Sequence, residues 1–115
     1  MEKNVEISLL LSFYGNVLTD KQKEAVALYY NEDLSLAEIS EIAGITRQGV
    51  RDNIKRAETV LYDLEEKLGL CDRFLKIREK LKEMSVLTEN SDIPRDIHNK
   101  LNEIIETVVD INDNY

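Results

Sequence analysis

The chain has 115 residues, 43% of them apolar, and a formal net charge of −8 at neutral pH. That is enough apolar material for one small domain, alone or with a helical appendage, and it excludes wholesale disorder. A single proline and four glycines argue against a turn-rich β fold, and the one cysteine, Cys71, cannot staple the chain internally. No apolar run approaches the roughly 20 residues that span a bilayer, and the N-terminal Met-Glu-Lys-Asn-Val-Glu carries no signal or transit pattern. Together with the cysteine usage, this predicts a cytoplasmic protein.

Val5, Ile7, Leu9, Leu10, Leu11, Phe13 and Tyr14 predict a first helix over residues 2–14, apolar on nearly every side and broken at Gly15-Asn16. A helix of that kind is buried on more than one face; either a partner covers part of it or the later helices wrap it. Thr19 with Gln22 forms a capping box that opens a second helix through about Tyr30. Ala25, Val26, Leu28, Tyr29 and Tyr30 supply its apolar side, and Asn31-Glu32-Asp33 ends it.

The stretch Ser35–Arg56 holds two helix starts separated by a tight turn. Ser35 with Glu38 makes a second capping box, and Ile39, Ile42 and Ala43 form a short apolar face. Gly44 suits a left-handed helix end. Thr46 is a good N-cap, and Val50, Ile54 and Ala57 follow at helical spacing. Short helix, turn with glycine and second helix make a helix-turn-helix signature. Arg47, Gln48, Arg51, Asp52 and Lys55 lie on the polar side of the second helix, side chains of the kind that reach base edges and phosphates.

The second motif helix is longer than DNA reading requires. Its apolar positions continue at 50, 54, 57, 61, 64 and 68, a heptad seam that stops at Gly69. Leu61, Leu64 and Leu68 are candidates for contact with a second copy, the alternative being cover from the chain's own C-terminal segment. Asp72 is the expected cap of a helix through about Met84, with Phe74, Ile77, Leu81 and Met84 on one face and Arg73, Lys76, Arg78, Lys80 and Lys82 around it. Residues 85–92 read as a loop, and Pro94 fits the first turn of a last helix. Ile97, Leu101, Ile104, Val108 and Ile111 form that helix's stripe, broadened by Ile105 and Val109; Asn112 to Tyr115 are expected to fray. Matched seams predict a coiled-coil-like bundle.

Catalysis has little to stand on: His98 is the only histidine, with no companion ligand set, and no phosphate loop or nucleophile motif is present. No cofactor or metal is expected. The charge is unevenly placed: −3 over residues 1–34, −2 over 35–70, +2 over 71–88 and −5 over 89–115. Within Ser35–Arg56 there are four basic and three acidic residues, so DNA affinity is expected to be modest and salt-dependent.

The run Tyr14-Gly-Asn-Val-Leu-Thr-Asp-Lys-Gln, then Tyr29-Tyr30, then Asp33-Leu-Ser-Leu-Ala-Glu-Ile, then Thr46-Arg-Gln-Gly-Val-Arg-Asp-Asn-Ile-Lys-Arg, and finally Glu66-Lys-Leu-Gly resembles the YlxM family of small bacterial proteins. The resemblance covers residues 5–70. It implies an all-α fold with a helix-turn-helix similar to region 4 of sigma factors, a cytoplasmic DNA-binding regulator, and a link by genomic neighbourhood to the signal recognition particle pathway. Ser40 stands where helix-turn-helix proteins commonly carry Ala, Thr46 where Ser is more usual, and Gly49 in place of Ala.

These readings converge on a helix-turn-helix domain over residues 1–70 and a helical extension over 71–115 that serves packing or dimerisation. The expected protein is a non-enzymatic homodimer that contacts DNA through Arg47, Gln48, Arg51 and Lys55, with Arg56 on a phosphate. Thr19, Ser35, Glu38, Gly44 and Thr46 set its caps and turn. The alternatives are an adaptor for the protein or RNA of the signal recognition particle, using the basic 72–84 helix, and a sigma-like competitor docking on polymerase.

Overall fold

Capping chemistry sets most of the helix boundaries. A computed structural model describes residues 2–113, of which 86% are helical. Six α-helices, and no strands, are present among the described residues: α1 (Lys3–Tyr14), α2 (Asp20–Val26), α3 (Leu36–Ala43), α4 (Arg47–Leu68), α5 (Leu70–Glu89) and α6 (Arg95–Asp113). Gly15–Val17 adds a 3₁₀ turn after α1, and Ala27–Asn31 continues α2 as a wider π-helical turn. Thr19 caps α2 reciprocally with Gln22, each bond 3.2 Å, satisfying N–H groups that would otherwise lack partners.

The chain divides into two units, Met1–Cys71 and Asp72–Tyr115. In the first, one core cluster joins Ile7, Leu10, Leu11 and Tyr14 of α1 to Leu18, Val26, Ala57, Leu61 and Cys71. A second holds Ala25, Ile39, Val50 and Ile54, and Tyr30 packs against both. The long α4 runs past both clusters, so its length is used to tie the motif to α1. The chain's own helices thus wrap most of α1, though Val5 stays exposed.

Two carboxylates of α4 anchor this packing. The Tyr30 hydroxyl donates to Glu58, which also pairs with Lys3 at 3.6 Å. The Tyr14 hydroxyl donates to Glu65 Oε1 at 2.6 Å. Glu65 Oε1 also accepts from the Cys71 N–H at 3.1 Å, and the Tyr14 oxygen accepts from the Leu70 N–H at 3.1 Å. Two N–H groups that open α5 are thereby satisfied.

Four readings need correction. α5 begins at Leu70 rather than after a cap at Asp72, because Gly69 adopts the left-handed conformation (φ 64°) and Tyr14 and Glu65 do the capping. It also runs to Glu89, so most of the expected loop is helix; Thr88 Oγ1 donates back to the Met84 carbonyl at 2.8 Å within it. In α3, Ile42 and Ala43 are exposed, and Leu36 and Ile45 flank buried Ile39 instead. In α6 the buried residue is Ile105, while Ile97, Ile104, Val108 and Ile111 are open.

The second unit is an antiparallel pair of helices. Asn112, near the end of α6, donates from Nδ2 to the Phe74 carbonyl near the start of α5 at 3.4 Å. Leu81 and Ile105 are its buried apolar residues. Asn112 and Asp113 are helical, and the last two of the residues expected to fray lie outside the described residues.

Candidate nucleic-acid interface

The turn between α3 and α4 is fixed by short-range hydrogen bonds. Ser35 Oγ accepts from the Glu38 N–H and Glu38 Oε1 from the Ser35 N–H, both at 3.1 Å. Those bonds, the one from the Ser35 backbone first, hold the Glu38 carboxyl below the usual carboxylate range. Gly44 has φ 68° and donates to the Ser40 carbonyl at 2.9 Å. The Ser40 hydroxyl in turn donates to the Ile45 carbonyl, so the serine that departs from the common alanine closes the turn. Thr46 Oγ1 accepts from the Gly49 N–H at 3.0 Å. A Cβ at Gly49 would sit 3.2 Å from that oxygen, which gives the glycine a local reason.

This frame presents the first turns of α4. Val50 and Ile54 point into the core of the motif, and Arg47, Gln48, Arg51, Asp52, Lys55 and Arg56 are all exposed. At 100° per residue, Gln48, Arg51, Asp52 and Lys55 form one stripe, with Arg47 at its leading end and Arg56 set back around the helix. None of the four cations forms a salt bridge with a described residue. Gln48 is the restrained member: its Nε2 donates to Asp52 Oδ1 at 3.1 Å.

Beside the stripe lies a groove that Lys3 and Tyr29 line together with Arg51 and Lys55, Tyr30, Leu36, Ile54 and Glu58 lining the rest. Sequence reading did not find Lys3 or Tyr29, since they come from elements far from the motif; the only signal was the Tyr29-Tyr30 pair, read as core. Tyr29 is exposed and meets Tyr30 edge-on. The residues offered for dimerisation are differently placed. Leu61 is fully buried in its own chain's core and Leu64 packs beside it, whereas Leu68 is 49% exposed. His98 Nδ1 lies 3.3 Å from the Asn102 side-chain amide, one turn along the same helix. Among the described residues no cluster of His, Cys, Asp and Glu could hold a metal, and no helix is long and apolar enough to cross a membrane.

A family profile described as "Putative helix-turn-helix protein, YlxM / p13 like" matches residues 1–107. A UPF0122 protein of Clostridium perfringens (strain SM101) is 44% identical over 112 residues, covering 95% of this chain and 98% of its own. One of Acetivibrio thermocellus is 41% identical over 117 residues, covering 93% and 100%. One of Thermoanaerobacter sp. (strain X514) is 55% identical over 75 residues, covering 65% and 64%. With the capped turn and exposed second motif helix already in place, the chain belongs to the UPF0122, YlxM / p13-like family of helix-turn-helix proteins.

Proposed function

We propose that the chain is a non-enzymatic DNA-binding regulator that docks the N-terminal turns of α4 in the major groove. The observation that carries this reading is the open stripe of Arg47, Gln48, Arg51 and Lys55 on a helix whose opposite face is locked into the motif core. Arg47 and Arg51 are suited to bidentate contact with guanine and Gln48 to adenine; Lys55 and Arg56 serve phosphates. The groove with Lys3 and Tyr29 extends the contact surface toward the backbone. The net charge of −8 limits non-specific affinity, so binding depends on these few cations.

The test is anisotropy titration of the full chain against a pool of fragmented genomic DNA at low salt. Binding that falls with salt and is lost in Arg47→Ala and Arg51→Ala supports the reading. Absence of binding, or binding indifferent to both substitutions, overturns it.

A second reading, an adaptor of the signal recognition particle pathway that binds protein or structured RNA, is favoured by the exposed Arg73, Arg78 and Lys82 of α5 within an otherwise acidic chain. It predicts co-purification with the particle that survives the α4 substitutions and is lost on reversing those three charges.

A further inference from the structure

We propose that the groove beside α4 binds an unpaired nucleotide of a nucleic-acid strand, its base against the Tyr29 ring and its phosphates among Lys3, Arg51 and Lys55. These four side chains come from three separate elements and line one groove. Three cations stand there against a single carboxylate, Glu58, in a chain of 15 basic and 23 acidic residues. That carboxylate is already engaged: it accepts from the Tyr30 hydroxyl, pairs with Lys3 at 3.6 Å, and its side chain is only 17% exposed. The Lys3 side chain remains 61% exposed. The groove thus presents positive charge in a chain that as a whole repels phosphate.

The aromatic ring selects the base. Tyr29 lies in the π-helical turn Ala27–Asn31 and is 38% exposed, whereas its neighbour Tyr30 packs against both core clusters. The two rings meet at 86° with centroids 5.0 Å apart. An edge-to-face contact covers at most one face of either ring, so Tyr30 braces Tyr29 without enclosing it. Tyr29 also lines a second groove, with Asn4, Leu34 and Ser35, so the ring is approached from both. An exposed ring flanked by cations is the pairing that single-stranded nucleic-acid sites use, the ring stacking on a base and the cations tracking the backbone. A base inside a paired duplex has its faces covered by its neighbours and offers none to Tyr29.

The occupant is a strand rather than a free nucleotide because the positive track outruns the groove. Arg51 and Lys55 line it, whereas exposed Arg47 lies outside it on the same helix. From Arg47 to Lys55 the helix rises about 12 Å, enough for successive phosphates of one strand. An acidic peptide would satisfy the cations but leave the ring face without a planar partner. Arg51 and Lys55 are shared with the duplex reading, yet an unpaired base is a different ligand, and its binding does not depend on that reading.

Anisotropy titration of the full chain at low salt tests it, with a labelled oligothymidylate of about 12 nucleotides, its oligouridylate counterpart and an abasic strand of the same length. The tighter bound of the two base-bearing strands tells DNA from RNA, and it should bind about tenfold or more tighter than the abasic strand. Tyr29→Ala should abolish that advantage and leave the abasic strand unchanged, while Tyr29→Phe keeps it; a merely structural Tyr29 would weaken all strands alike. Lys3→Ala should weaken every strand and flatten the salt dependence. Equal affinity for base-bearing and abasic strands, indifference to Tyr29→Ala, thymidine monophosphate binding as tightly as the strand, or no strand binding at all overturns the proposal. A blunt duplex titrated alongside keeps the two readings apart. Its affinity should be indifferent to Tyr29→Ala, and a duplex left unbound while the strand binds overturns the duplex reading alone.

Discussion

The Tyr14 hydroxyl donates to Glu65 Oε1 at 2.6 Å across fifty-one positions of sequence. With the Leu70 and Cys71 N–H groups this forms a closed knot in which α1, the end of α4 and the start of α5 meet. Burial, and then the hydrogen bond to Glu65, push the Tyr14 phenol up to about 12. The fold therefore favours the neutral phenol. Its stabilisation is intact below about pH 10 and is lost as pH rises toward 12.

Tyr14→Phe should lower stability by about 1–3 kcal/mol, since buried partners lose a hydrogen bond, and should shallow the alkaline loss of stability relative to wild type. Urea midpoints measured from neutral to strongly alkaline pH check both. Tyr30, raised by burial and by Glu58, keeps a residual alkaline slope in the variant.

The knot also shows where sequence legibility ended. Boundaries written by local chemistry were readable: Thr19 with Gln22, Ser35 with Glu38, Gly44 and Thr46 all cap as their spacing predicts. The start of α5 was not, because its N–H groups are satisfied by Tyr14 and Glu65, residues that no local pattern associates with position 70. The stripe of α6 failed for a related reason. Periodicity shows that Ile104, Ile105, Val108 and Val109 share a broad apolar arc, but which half of the arc faces α5 is settled by packing around Leu81. At the candidate interface, Arg47 to Lys55 could be read from one helix, whereas Lys3 and Tyr29 reach it only through the fold.

Gly44 should be the least replaceable residue of the turn. Nothing lies within 4 Å of a Cβ built there, so only its φ of 68° opposes a side chain. Gly44→Ala should cost about 1–2 kcal/mol, the steric penalty of the left-handed region, and Gly44→Asn less, because Asn tolerates that region. A thermal melt that ranks Gly above Asn above Ala checks the assignment; equal losses would point to a different cause.

Cys71 should be inert in the folded protein. It is buried, and burial followed by the Glu65 carboxylate pushes its thiol up to about 12, so the reactive thiolate is scarce at neutral pH. Labelling with a thiol-disulfide reagent near neutral pH should be slow in buffer and fast in denaturing urea. Tyr14→Phe should accelerate the native-state reaction by loosening the knot that covers it.

Asp52 is the residue whose removal should improve DNA binding. It sits on the stripe with Gln48, Arg51 and Lys55, holds the Gln48 amide at 3.1 Å, and places a negative charge where phosphates approach. Asp52→Asn removes that charge while keeping a polar partner for Gln48, so affinity should rise and the wild-type fold persist. Gln48→Ala should instead leave non-specific affinity nearly unchanged and relax discrimination at one base pair, by the ~1–3 kcal/mol of a bidentate contact. Measured over a salt series, Lys55→Ala should flatten the dependence of affinity on salt, since one fewer phosphate-contacting cation displaces counterions. Asp52→Asn that weakens binding would mean that the carboxylate itself contacts a base, as a cytosine amino group would allow, and that Gln48 is positioned by Asp52 for reading rather than restrained by it.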